Sequence, residues 1–438
     1  MLIIVILAIT LVDSQFIRVF YPTELGNPGP LQFNLFLVHV VIASVISIYL
    51  LRFTKKNDGE AKSSRPVLFK TAFISTLCAQ IAISLILFAV ISEMIVFQGY
   101  HSTLLLSVVY ISHLLPIFIL GVLSVIFLQW LRFHQTLSVL VYVIVFIITL
   151  FLILITIPVL TEQFSLQSDI IQPRPYLILI QDYFVPSNST IYSTVYGLST
   201  YVLPILVLAS WTLTVSLLKT FMSRIGKKKF WLLVSIPLAY QVFVIVASNP
   251  NLITNPDIVQ IIYSPQVQLL INIDGQISGL FFSAAFLIIG RKIRRENMKN
   301  FFVISAIGIF SLFCSIQPGS PFYAAYPPFG LATLVFLGLS SYMFLVGMVG
   351  AAAYVSRNSD VRQEVYKGLK DSAVLNMGLA ELQREVQKRV AVAFENVKTA
   401  GFSNEVKNSI DPDEEDVKLM IEQALKEVHS YRSDTKDT

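Results

Sequence analysis

The sequence predicts an all-α fold: a polytopic transmembrane helix bundle of about nine spans, followed by a short cytoplasmic helical tail. The 438-residue chain is 55% hydrophobic and only 13% charged, whereas soluble domains are roughly 25% charged. Its apolar residues fall into runs of about twenty, the length that crosses a hydrocarbon core about 30 Å thick. These runs are apolar at consecutive rather than alternating positions, which favours helices over barrel strands.

Two kinds of loop alternate between the predicted spans. The loops after the first, fifth and seventh spans are rich in lysine and arginine, and the loop after the third contains Arg132. Arg174 is the only basic residue in the other loops. Because basic loops stay on the cytoplasmic side, the asymmetry predicts an outside N-terminal end and a cytoplasmic C-terminal tail. The predicted spans are residues 32–52, 70–97, 103–131, 136–160, 193–221, 230–248, 268–290, 300–317 and 328–355.

The chain divides into residues 1–20, a transmembrane helical domain over 30–356, and a tail over 357–438. The first of these is predicted to be a signal peptide or a short N-terminal anchor. Met1 to Val12 are apolar, too few to span comfortably and enough for the apolar region of a signal peptide. The segment lacks a basic start, and Ala8 to Thr10 make a poor cleavage site. Removal of the segment fits the predicted orientation, and a tenth span is the alternative.

The tail becomes soluble and strongly charged from about Ser359. Its apolar residues recur every three or four positions, which predicts a helix to about Thr399 with one apolar stripe. Either a protein partner or a second copy docks on this stripe, or the tail folds on itself with a second helix that begins at Asp411 and Pro412. The candidate docking residues are Leu375, Leu379, Leu382, Val386 and Val390.

A few polar side chains interrupt the predicted spans, where ionisable groups are costly and therefore are candidate functional residues. With a rise of about 1.5 Å per residue and the predicted orientation, all of them lie in the outer half of the membrane. Together they could line a water-filled pocket open to the exterior that receives a ligand, a proton or a cation. The candidate pocket residues are His39, Glu93, His113, Gln241 and Asp274.

Each of these residues also has a simpler interpretation. Glu93 is shallow enough to be solvated at the interface, and each histidine can be a neutral core residue bonded to a neighbouring helix. Asp274 differs, because a carboxylate beside Gly275, which loosens the helix, needs a hydrogen-bond partner or a proton. Imidazole and carboxylate groups suit several metals, but four residues on four helices give no ligand spacing, and no metal site is predicted.

Several functional classes find no support in the sequence. There is no H-E-x-x-H, G-x-S-x-G or Walker motif, so an enzyme is not favoured and no cofactor is indicated. The basic residues lie in short loops beside apolar runs, which is a topology signal rather than a nucleic-acid surface. Asn188 begins an N-x-S/T triplet in a predicted outer loop and is a candidate glycosylation site. Gly338 and Gly347 belong to a small-residue surface on the last span, predicted to pack within the chain.

The stretch from Ala325 to Gly330, Ala-Tyr-Pro-Pro-Phe-Gly, leads into the last span, and the charged tail contains a late Asp-Glu-Glu-Asp turn at Asp413 to Asp416. In these features the last quarter of the chain resembles a group of uncharacterised multi-spanning membrane proteins of ammonia-oxidising archaea. That group has no assigned activity, so the resemblance implies no functional residues. It implies an archaeal cell membrane.

Taken together, the sequence favours a receptor-like or scaffold membrane protein with an outward-facing polar pocket and a partner-docking cytoplasmic tail. The alternative is a secondary transporter of a small molecule or ion that uses the same polar cluster. An odd number of spans and the lack of an evident inverted repeat count against transport.

Overall fold

The computed structural model describes residues 3–10, 30–165, 169–172, 190–219, 222, 226–248, 262, 264, 267, 270–271, 273–316, 327–328, 330–369 and 373–400. Helix α1 covers residues 3–10. The following helices are α2 (Pro30–Lys56), α3 (Gly59–Ser64), α4 (Pro66–Phe97), α5 (Ser102–Phe133), α6 (Leu137–Ser165), α7 (Thr190–Leu218), α8 (Lys227–Ser248), α9 (Asp274–Gly290), α10 (Glu296–Ser315), α11 (Leu331–Arg357), α12 (Ser359–Leu369) and α13 (Ala373–Ala400).

The all-α prediction is confirmed, and each predicted span overlaps one described helix. Within the described residues, seven helices are long and apolar enough to cross a membrane, namely α2, α4, α5, α6, α8, α10 and α11. Helices α7 and α9 contribute shorter apolar segments, Val202–Leu218 and Asp274–Gly290. A multi-pass membrane protein fits these helices, while the crossing of the membrane by α7 and α9 stays a prediction.

The outer surface of the bundle is apolar. Large side chains such as Leu85, Phe88 and Leu232 are 65%, 70% and 69% exposed. A soluble protein rarely exposes so continuous an apolar surface, whereas lipid solvates it at no cost.

Helix α11 lies at the centre of the bundle. Its described side chains from Leu331 to Ala353 are all buried, and it packs against α2, α4, α5, α10 and α13. The sequence permits this position because residues 331–356 carry no charge and contain several glycines, alanines and serines. Such small residues let neighbouring helix backbones approach closely in a membrane.

Glycines set the closest helix contacts. A methyl group added to Gly308 of α10 would lie 2.8 Å from the backbone nitrogen of Phe344 in α11. One added to Gly347 would lie 2.8 Å from the backbone nitrogen of Ser305 in α10. The backbones of α10 and α11 are therefore in direct contact, and the small-residue surface packs within the chain.

The two ends of the bundle differ. At one end α2, α5 and α11 finish and α4 and α10 begin, and the Asn300 amide there donates to Asn57 Oδ1 at 3.0 Å. We call this the basic end, because it carries the lysine- and arginine-rich connections. At the opposite end, strands β1 (Tyr100–His101) and β2 (Ile170–Ile171) pair antiparallel.

Helix α1 buries Ile6 and Ile9 in the main hydrophobic core. The predicted removal of this segment, or its alternative as a tenth span, stays a prediction.

We expect Gly347→Ala to destabilise the protein although alanine is the better helix former. Its methyl group would lie 2.9 Å from the Phe301 carbonyl oxygen and 2.8 Å from the Ser305 nitrogen, and backbone atoms can move only if the two helices separate. Overpacking of this kind typically costs about 1–3 kcal/mol. Thermal unfolding in detergent measures the effect.

The matched control is Gly121→Ala in α5, where an added methyl group meets nothing within 4 Å. We expect it to be neutral or stabilising, because alanine is favoured over glycine in a helix by about 1 kcal/mol. Equal melting temperatures for the two variants would contradict the close contact of α10 with α11.

Candidate functional site

Asp274 is the first residue of α9, at the end of the bundle opposite the basic end. The sequence places it about six residues inside a span, but the structure has a turn at Ile273 and begins the helix at Asp274. Asp and Gly are poor interior helix residues, and a carboxylate in the first turn suits the helix dipole. The helix therefore begins later than the apolar run does.

The Asp274 carboxylate is buried beside other polar groups. Asp274 is 4% exposed, and its polar neighbours are Gln241 of α8 and Ser278 of α9. In the described part of the chain, neither carboxylate oxygen has a partner at normal hydrogen-bond geometry, and neither does Gln241 Oε1. Tyr240 also faces this cluster, and its hydroxyl donates to the Leu270 carbonyl. We call Gln241, Asp274 and Ser278 the carboxylate site.

Glu93 has a different environment. Its carboxylate oxygens accept hydrogen bonds from the His101 backbone nitrogen and ring Nδ1, both at 2.9 Å. The His101 side chain is half exposed, and β1, to which it belongs, starts the turn into α5. Glu93 thus anchors the connection between α4 and α5 rather than joining Asp274.

The two histidines are buried within their helices. His113 is 3% exposed, and its Nδ1 donates to the Val109 carbonyl one turn earlier at 2.8 Å. His39 of α2 is 7% exposed. Across the residues that the structure describes, no three His, Cys, Asp or Glu side chains lie close enough to hold a metal ion. Of the five predicted pocket residues, the structure brings Gln241 and Asp274 together.

A second polar site lies at the basic end and was not predicted. Glu381 of α13 is fully buried. Trp130 Nε1 donates to its Oε2 at 2.9 Å, and Ser64 Oγ donates to its Oε1 at 2.8 Å. Arg384 Nε lies 3.0 Å from Oε2, and Arg65 Nη2 lies 3.4 Å from the same atom. The side chain thus joins α13 to α3, to the start of α4 and to the end of α5; we call these five residues the Glu381 cluster.

The Glu381 cluster stabilises the ionised form of the Glu381 carboxylate. Burial opposes ionisation, but hydrogen bonds from Arg384 and Trp130 and the positive charge of Arg65 outweigh it. Together they lower the pKa of Glu381 to about 2. The carboxylate is therefore ionised at neutral pH although no part of it meets water.

Further contacts hold the tail on the bundle. Arg357 at the end of α11 pairs with Glu385 at 3.1 Å, and the Arg362 guanidinium donates to the Ser356 carbonyl at 2.8 Å. The Arg294 backbone nitrogen, before α10, donates to Glu364 at 3.3 Å. These contacts attach α12 and α13 to the end of α11 and to the start of α10.

The predicted docking stripe is divided by this arrangement. Leu375 is 2% exposed in the main core, and Leu379 packs against that core. Leu382, Val386 and Val390 are half-buried. The first part of the stripe thus docks on the chain's own bundle, and the later part retains exposed apolar area.

Two predictions fall outside the described residues. These are the glycosylation triplet at Asn188 and the second tail helix from Asp411.

No protein-family model, no curated protein and no solved structure matches this chain.

We expect Glu381→Gln to loosen α13 from the bundle. The substitution keeps the size of the side chain but leaves Arg65 and Arg384 without their counter-charge, and breaking a buried pair costs on the order of 3 kcal/mol. Hydrogen exchange of the backbone of α13 measures the loosening. Glu385→Gln, one turn later, removes only a part-exposed pair and should cost under about 1 kcal/mol. Equal protection of α13 in both variants would contradict a special role for Glu381.

Acid should release α13 through the same group. Because the folded-state pKa of Glu381 is about 2 and the ordinary value is 4.5, ionised Glu381 stabilises docking above pH 4.5, and this stabilisation is lost as the pH falls towards 2. Fluorescence of Trp130, in a variant whose other tryptophans are phenylalanine, reports the release. The same titration of Glu381→Gln should lack the transition, and an unchanged transition would contradict the assignment.

Proposed function

We propose that this chain is a receptor-like or scaffold protein that crosses a cell membrane several times, with an outward-facing polar pocket and a cytoplasmic tail that docks a protein partner. An archaeal cell membrane is part of this proposal, from the resemblance of its last quarter. The proposal assigns the ligand pocket to the carboxylate site and the output to α13.

The observation that carries the proposal is the fully buried Glu381. A carboxylate is buried in this way only when its charge is matched. Arg384 of α13 itself and Arg65 before α4 supply the positive charge, and Ser64 of α3 and Trp130 of α5 add hydrogen bonds. A tail that served merely to end the chain would not require so costly a contact. The cluster makes the position of α13 dependent on the positions of α3, α4 and α5.

A line of close helix contacts connects the carboxylate site to α13. A methyl group on Gly279 of α9 would lie 3.2 Å from the Phe310 carbonyl oxygen of α10. Gly308 then brings α10 onto α11, and Gly378 of α13 packs against Val355 of α11. Closely packed helices move as rigid units. A shift of α9 would therefore displace α10 and α11, and α11 would displace α13.

Orientation rests on the charge of the loops. Basic loops favour the cytoplasmic side, so the basic end and α13 are assigned to the cytoplasm. Asp274, at the opposite end, is then reached from outside. This assignment gives the pocket and the tail opposite sides of the membrane, which is the arrangement that a receptor needs.

The surface assigned to a partner is the later part of α13. Leu382, Val386 and Val390 are half-buried, and Val392 is 49% exposed. Apolar residues at this spacing fit an amphipathic helix, from another protein or from a second copy of this chain.

One observation favours the transporter alternative. The turn at Ile273 precedes α9 directly, and the buried carboxylate of Asp274 lies at the start of that helix. Helix ends that carry polar groups towards a substrate or ion are typical of transporter binding sites.

Partner capture tests the receptor proposal. We expect the full-length protein, cross-linked in its native membrane, to co-purify a partner that is lost on replacement of Val386 and Val390 by serine, because these side chains supply the apolar contact. Leu232→Ser, on the exposed surface of α8, is the control and should retain the partner. Retention of the same partner by the Val386 and Val390 variant would contradict the proposal.

Substrate flux in reconstituted vesicles distinguishes the transporter alternative from the receptor proposal. Transport requires that Asp274→Ala abolish substrate flux while truncation after Asn358 leaves it intact, because the tail takes no part in carriage. Substrate flux that persists in Asp274→Ala would exclude transport through this site.

A further inference from the structure

We propose that Asp274, Gln241 and Ser278 bind an exchangeable monovalent cation, Na⁺ or H⁺. The inference deepens the proposed function by naming the ligand class of its polar pocket, and it rests on that function only for the side from which the ion enters.

The Asp274 carboxylate is buried without a matching charge among the described residues. Asp274 is 96% removed from solvent, as its exposed fraction of 4% shows, and it forms no ion pair with any described residue. An ionised carboxylate in that position costs several kcal/mol unless a positive charge accompanies it. Glu381, equally buried, has arginines beside it. Among the described residues Asp274 has no basic partner, and we therefore assign its counter-charge to a bound ion or proton.

The available atoms suit a small hard cation. Oδ1 and Oδ2 of Asp274 and Oε1 of Gln241 lack hydrogen-bond partners among the described residues, and the Ser278 hydroxyl lies beside them. Oxygen ligands of this kind favour Na⁺ and similar ions over soft metals. The Gln241 amide can present its oxygen to a bound ion, or it can donate from its nitrogen to the Asp274 carboxylate when no ion is bound.

The charge balance limits the ion to one positive charge. Asp274 is the one carboxylate of the carboxylate site, because Gln241 and Ser278 are neutral, and among the described residues no group of three acidic, histidine or cysteine side chains occurs. A divalent ion would therefore keep an excess charge in an apolar surrounding, which is as costly as the bare carboxylate. Na⁺ and H⁺ each neutralise Asp274 alone.

The other groups around Asp274 leave this balance unchanged. Tyr240 of α8 is the titratable side chain that faces it, and its hydroxyl is committed to the Leu270 carbonyl. The described parts of α7 and α10, which also pack against α9, bring no ion-pair partner to the carboxylate. The first turn of α9 favours the anionic form through the helix dipole.

Thermal unfolding of the purified full-length protein tests the inference. Sodium chloride replaces choline chloride at constant ionic strength, and the series is repeated at several pH values. We expect the melting temperature of the wild type to rise with Na⁺ or with acid, and the response to vanish in Asp274→Asn. A response to Na⁺ at alkaline pH identifies sodium as the ion, and a response to acid alone identifies the proton.

Two further variants complete the test. Gln241→Met keeps the volume but removes an oxygen, and should raise the half-effective Na⁺ concentration, or move the acid response, by about tenfold, the effect of one lost hydrogen bond or ligand. Glu93→Gln removes a carboxylate that is already paired with His101 and should respond as the wild type does. If Asp274→Asn does not fold, Gln241→Met decides the question alone.

The inference is overturned if the wild type responds to neither ion, or if Asp274→Asn or a folded Gln241→Met responds identically to the wild type. Such a result leaves the proposed docking of a partner intact, because partner capture by Val386 and Val390 is measured separately. Retention of the partner by the Val386 and Val390 variant, together with a normal ion response, would instead refute the receptor proposal and preserve the ion site.

Discussion

The direct contact between the backbones of α10 and α11 is the constraint on which the rest of the structure depends. Gly308 and Gly347 permit this contact, and any side chain there would meet the opposite helix backbone. In lipid, where helices gain little from apolar burial against each other, such close approach supplies much of the attraction. It places α11 at the centre, fully surrounded, and the remaining helices pack around it. The two polar sites lie at opposite ends of this central pair.

The two buried carboxylates illustrate one physical rule with different outcomes. Glu381 is matched by Arg65 and Arg384 and holds α13 against the bundle. Asp274 is also buried, but within the described part of the chain its polar neighbours Gln241 and Ser278 are neutral, so in our proposal its charge depends on what it binds. A matched charge fixes a structure, whereas an unmatched one makes the structure respond to its surroundings. Our proposal joins the two: an ion at Asp274 shifts α9, and closely packed helices carry the shift to α13.

The sequence predicted the long helices, because runs of apolar residues are a local signal, but it placed the start of α9 six residues too early, since Asp274 and Gly275 interrupt the helix and not the apolar run. It also identified Asp274 and Gln241 as candidates, since a polar side chain in an apolar run is conspicuous. It grouped them with Glu93, whose real partner is His101, because depth along a helix says nothing about the direction in which a side chain points. Glu381 was missed for a similar reason. A glutamate beside an apolar stripe resembles a solvent-facing residue, and its partners Ser64 and Arg65 lie more than three hundred positions earlier, where no local pattern connects them.

Hydrogen exchange of α13 tests the central claim most directly, measured on the full-length protein in lipid nanodiscs with Na⁺ or choline, at neutral and at mildly acidic pH. The account predicts that neutralisation of Asp274 by either ion changes the protection of the backbone from Val374 to Val392, and that Asp274→Asn holds one level of protection under all conditions. Protection of α13 that is the same with and without the ion, while the ion demonstrably binds, would contradict the coupling of the two sites.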